Sequence, residues 1–158
     1  MPTLIKIVYP LGVLWSSIWS LLGLVLMLTV YFPRSWPRWN RGALEVVVRW
    51  QLIPKGFDAT GDGKVDDPKD WYTRGQTHGV IKFFSDEDQQ RTLHLSYHEQ
   101  VHVWQSMIFG PLYGVLYGLD FLTKMLWYRD VKKAYLSILF ERWAFRWQAD
   151  FEAGKRRW

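Results

Sequence analysis

The sequence predicts an α+β protein, with an N-terminal transmembrane helix followed by a small domain of short strands and helices. Three observations carry that reading. An uncharged apolar run opens the chain, two short β-branched or aromatic runs follow, and the C-terminal half is built of longer helical stretches. The expected organisation is an anchor over 1–33, then a basic juxtamembrane segment with a strand and an Asp/Gly loop over 34–78. A largely helical domain fills 79–158.

Composition narrows the functions available. None of the 158 residues is cysteine, which excludes disulfides, thiolate zinc sites, iron–sulfur clusters and a cysteine nucleophile. Hydrophobic content, at 49%, is that of an ordinary folded domain, but 11 Trp, 8 Tyr and 9 Phe are an unusual aromatic load. Trp and Tyr favour membrane interfaces, where an apolar ring with one polar atom is at home. The net charge of +5 suits anionic lipid, and no nucleic-acid-binding motif accompanies it. Membrane lipid is therefore the expected partner and nucleic acid is not.

From Ile7 to Phe32 there is no charged residue. About 20 apolar residues span a bilayer core as a helix. The run is too long for a signal-peptide core and no small-residue cleavage site follows, so it reads as an uncleaved single-pass anchor. Lys6 precedes it, while Arg34, Arg38, Arg41 and Arg49 follow, which by the positive-inside rule puts the C-terminal body in the cytoplasm.

Pro33 to Arg41 is too rich in proline for helix and is expected along the headgroups. Ala43 to Ile53 is β-branched and reads as a strand, and Gly79 to Phe84 as a second. Ser85 to Asp88 offers a helix cap and first-turn acids, opening a helix over about 89–109. Gly110-Pro111 ends it. Residues 107–127 are apolar but carry Asp120 and Lys124, a pattern that dips into a membrane interface rather than crossing. A last helix runs from Val131 to about Gly154.

"YHEQVHVWQ" (Tyr97 to Gln105) carries the chemistry. Residues four apart share a helix face, so His98 and His102 can point at one ion. Neutral imidazole is a good zinc ligand. Glu99 lies about 100° round the helix from His98, where a carboxylate can act as general base on a water without ligating the metal. A third ligand should follow on another helix. Glu141 in "LFERWAFRWQ" is the stronger candidate, because Ser137 and Ala144 on its face allow close helix approach. Asp120 is the alternative. His94, one turn before His98, could ligate a metal or a pigment but reads rather as a core histidine or one supporting the site, and Gln105 as a hydrogen-bond partner of a ligand. A di-iron carboxylate site would need a second Glu-x-x-His, which is absent.

"HEQVHVWQ", the Gly/Tyr-rich apolar stretch after it and then "ERWAFRWQ" resemble the zincin-like metallopeptidases of the gluzincin type, over roughly Gly75 to Phe151. The resemblance implies a zincin-like domain with an active-site helix and a C-terminal ligand helix. It implies zinc held by His98, His102 and Glu141, Glu99 as base, and a peptide substrate. A second expectation comes from another class: a non-catalytic accessory subunit of a respiratory or photosynthetic membrane complex, keeping a structural or vestigial metal site.

"DATGDGKVDD" begins as a calcium loop does, with Gly63 at the sharp turn. Asp58, Thr60 and Asp62 would be the first oxygen ligands and Lys64 would lend its carbonyl. Lys69 stands where a bidentate Glu is usual, so Asp66, Asp67 or Asp70 would substitute. A solvated Asp/Gly turn is the competing reading.

Overall fold

The computed structural model describes residues 3–49, 75–85 and 87–155. The calcium-loop positions Asp58, Thr60, Asp62, Lys64, Asp66, Asp67 and Asp70 lie outside the described residues. The chain opens with α1 (Thr3–Trp15) and α2 (Ser17–Leu26), and α2 runs into a π-helical turn, Met27–Tyr31. Then come β1 (Arg38–Asn40), β2 (Ala43–Val47), β3 (Gly75–His78) and β4 (Ile81–Phe84). Five helices complete it: α3 (Glu87–Arg91), α4 (Leu93–Phe109), α5 (Leu112–Tyr128), α6 (Val131–Ser137) and α7 (Leu139–Glu152).

The strands form one sheet in the order β1-β2-β4-β3, with β2 and β4 parallel and both outer pairs antiparallel. β1 and β2 meet at Arg41-Gly42, whose φ values of 52° and 79° fit the left-handed two-residue turn that suits strand twist. β2 and β4 are buried on both faces, as parallel strands generally are. On one face Val46, Val48, Ile81 and Phe83 pack under Met27 and Tyr31 of the N-terminal segment. Tyr31 and Phe83 meet edge to face with ring centroids 4.8 Å apart. α4 lies against the opposite face of the sheet, where Lys82 reaches Ser96 and Gln100.

The expected single N-terminal helix is divided here into α1 and α2. No single described helix is long and apolar enough to cross a membrane; Val8–Trp15 and Ser17–Tyr31 pass only as a pair bent by 58°. The bend has identifiable causes. Ser16 leaves helical geometry (φ −88°, ψ 5°) and is buried. Beyond it, Trp19 donates from Nε1 to the Gly110 carbonyl at 2.8 Å, and Ser20 Oγ accepts from the Val80 amide at 3.1 Å. Gly110 permits the approach: a Cβ there would lie 2.1 Å from Trp15 Nε1. The inner face of the N-terminal segment is thus a layer of the fold, while its outer face stays exposed.

Other boundaries shift for local reasons. Of the strand expected over 43–53, β2 takes Ala43–Val47 and Val48 makes a bridge to Pro33, while residues 50–53 lie outside the described residues. Gly79 (φ 59°) and Val80 form a turn rather than strand, and the polar run Gly75–His78 supplies the unexpected β3. The single helix expected over 131–154 breaks at Ile138, which is extended and fully buried. Asp130 caps α6 through the Lys133 amide at 2.9 Å. Asp120, on α5, accepts from the Leu139 amide at 2.7 Å and so caps α7 from a neighbouring helix.

A buried ion pair ties α4 to the sheet. Glu45 and Lys82 are register partners on β2 and β4, and Lys82 Nζ lies 2.7 Å from Glu45 Oε1. The ammonium also donates to Gln100 Oε1 at 3.2 Å and Ser96 Oγ at 3.4 Å, using all three protons. Glu45 accepts further from Ser96 and Asn40. Burial pulls the Lys82 pKa down even though Glu45 opposes it. A pair this deep earns little net stability, but breaking it strands a charge. Lys82→Met should therefore cost about 3–5 kcal/mol in chemical denaturation, and Lys82→Met with Glu45→Gln should recover much of that loss.

Candidate metal centre

α4 is buried around most of its circumference, so its polar residues must find partners inside the protein. α7 crosses it at Ala144, which is fully buried against Tyr97 and Val101. Tyr97 stacks on Phe151 with centroids 4.4 Å apart. That contact brings the first turn of α7 over the middle of α4. Glu141, His98 and His102 are all buried there.

The three side chains converge. His98 Nε2 is 3.1 Å from His102 Nε2 and 3.2 Å from Glu141 Oε2, and His102 Nε2 is 3.3 Å from Glu141 Oε1. They are the residues among those described that could share one metal ion. Ligands about 2.0–2.1 Å from a tetrahedral zinc are separated by about 3.3 Å, so the donor spacing already matches the edges of such a site.

The surrounding hydrogen bonds decide which atoms face inward. Gln105 donates from Nε2 to the Phe140 carbonyl at 3.0 Å, leaving its Oε1 2.8 Å from His102 Nδ1. Gln148 donates from Nε2 to Glu152 at 2.8 Å, leaving its Oε1 3.2 Å from His98 Nδ1. An amide oxygen accepts, so both imidazoles carry their proton on Nδ1 and turn the Nε2 lone pair to the centre. Two lone pairs and a carboxylate then share one buried point with no donor among them. Such a cluster needs a cation.

In the metal-free chain a proton fills that need. Burial pushes His102 down, but the Glu141 carboxylate outweighs it by charge and hydrogen bond, with Glu99 and Gln105 adding, and holds the imidazole up at about 9. Burial raises Glu141, while His102 and His98 overcome it and bring the carboxyl well below its usual range. Tyr117 donates to Glu141 Oε1 at 2.7 Å, and Tyr113 Oη lies 3.2 Å from His102 Nδ1. Burial first, then Glu141, keeps Tyr113, Tyr117 and Tyr135 protonated.

Glu99 projects beside this cluster. Thr77 on β3 donates to its Oε2 at 2.6 Å. Gly75 is required opposite, since a Cβ there would sit 2.6 Å from Glu99 Oε1. Glu99, His102 and Glu141 line one cavity of about 240 Å³, walled by β3, α2, α5 and Tyr135.

The remaining sequence candidates fall elsewhere. Asp120 is engaged with the Leu139 amide and Lys124, outside the His98–His102–Glu141 group. His94 is about half exposed and pairs with Glu152 at 3.4 Å, reaching the centre only through Gln148. Sequence alone does not single out Thr77, Gln148, Tyr113 and Tyr117: Thr77 belongs to no motif, and the other three fall inside the stretches named above, where only the fold shows which side chains turn to the site. Comparison of the chain with protein-family models, curated proteins and solved structures returns no significant match.

Two outcomes follow from these contacts. Gln105→Leu and Gln148→Leu should each weaken zinc binding about 10–100-fold, read by competition with a chelator. The second concerns pH. His102 is raised above its unfolded value of 6.5, so its stabilising pairing with Glu141 is full below pH 6.5 and lost as pH rises through about 9. The thermal midpoint of chelator-treated protein should fall across that window relative to His102→Gln, while zinc affinity rises as the competing proton leaves.

Proposed function

We propose that the chain is a membrane-associated zinc metallopeptidase of zincin-like type. The observation that carries this reading is the convergence of two Nε2 lone pairs and a buried carboxylate at tetrahedral spacing, with Glu99 in the same cavity. His98, His102 and Glu141 would hold the ion. Bound there, zinc would supply Lewis acidity and lower the pKa of a water.

The chain's own residues account for the rest. Thr77 holds Glu99 Oε2, orienting the carboxylate that takes the proton of the attacking water and later returns it to the leaving amine. β3 is one of the two edge strands of the described sheet and lines the same cavity. In a two-residue hairpin, alternate residues turn their backbone groups outward, so Gly75 and Thr77 can pair with an extended substrate strand. Tyr117 keeps Glu141 from rotating out of the centre.

A second reading, an accessory subunit of a membrane complex with a structural metal, is supported by the exposed apolar faces of α1, α2 and α5. Turnover separates the two. Zinc-loaded protein should cleave a quenched-fluorescent peptide library, and Glu99→Gln should keep its zinc while losing about 10²–10⁴-fold in rate. Zinc bound without cleavage above that of Glu99→Gln would favour the subunit.

A further inference from the structure

Two helices that wall the candidate catalytic cavity also carry apolar outer surfaces. Trp19 and Leu22 of α2 form one wall, and Gly114 and Tyr117 of α5 form another. On the outer side of α2, Ile18 is 55% and Leu21 61% exposed. On α5, Leu112, Val115, Leu116, Leu119, Leu122 and Leu126 recur at helical spacing on one exposed face, with Leu119 at 57% and Leu126 at 81%. The α5 charges sit off that stripe: Asp120 caps α7, and Lys124 lies against Asp120.

Charge placement says what covers these faces. The α2 segment is followed by Arg34, Arg38 and Arg41, and α5 by Arg129, Lys132 and Lys133. Apolar faces that each end in a basic cluster suit hydrocarbon bordered by anionic headgroups. Resting on the peptidase reading above, we propose that α2 and α5 seat together in one face of a bilayer. The cavity between them then receives an extended peptide held at the membrane surface, rather than a peptide from bulk water.

The absence of native cysteine allows a clean test. Single cysteines at Leu21, Leu119 and, as a control, exposed Glu87 carry an environment-sensitive fluorophore in vesicles of phosphatidylcholine and phosphatidylglycerol. Quenching of the Leu21 and Leu119 labels by doxyl-lipid, with the Glu87 label quenched only by aqueous iodide, is the expected result. A Leu119 label open to iodide overturns the proposal. So does one shielded from both quenchers, which would indicate a protein partner or a second copy. In the same vesicles, a fluorogenic peptide joined to an apolar membrane segment should be cleaved at least about tenfold faster than its free counterpart. Equal rates contradict a membrane-held substrate. If neither peptide is cleaved, the peptidase reading fails while lipid quenching still decides the seating of α2 and α5.

Discussion

The contact between α4 and α7 is the constraint on which the rest depends. Ala144 has no bulk to hold the helices apart, and the Tyr97–Phe151 stack fixes how they lie. Glu141 enters the interior at the start of α7, where Asp120 closes the helix end from α5. Without that cap the first turn of α7 would lose its amide partner and Glu141 its position. Below, Lys82 and Glu45 hold α4 to the sheet. The same helix is therefore pinned on both sides, by an ion pair and by aromatic packing. Such rigidity suits a site whose donors must stay within a few tenths of an ångström.

The N-terminal segment serves two surroundings at once. Tyr31 and Met27 complete the core over Val46 and Phe83, and Tyr31 donates to Gln76 at 2.7 Å beside the cavity. Its outer residues remain apolar and exposed. One stretch of chain thus closes the sheet, bends at Ser16 and forms a wall of the cavity. A sequence window sees only its hydrophobicity, which is the same whether the surroundings are lipid or protein.

That is why the site was more legible than the fold. His98, Glu99, His102 and Gln105 fall on one helix with regular spacing, and helix periodicity alone relates them. Glu141 was reachable through its small neighbours and the order of motifs. Thr77 and Gln148 were not, because their roles arise from tertiary contacts. β3 was missed since "GQTH" has no apolar alternation; it is a strand because β4 and Glu99 flank it. The break at Ile138 was hidden by continuous helical composition and became necessary only because Asp120 and the buried Ile138 side chain turn the chain there.

In the proposed centre the two imidazoles and Glu141 would hold one zinc ion through Nε2 and a carboxylate oxygen. X-ray absorption at the zinc edge on stoichiometrically loaded protein tests it most directly. The expected result is a four-coordinate centre with scattering from two imidazoles and light oxygen ligands at about 2.0–2.1 Å, reduced to one imidazole in His98→Ala. A zinc surrounded only by oxygen at longer distance, unchanged by that substitution, or no stoichiometric binding at all, would contradict it.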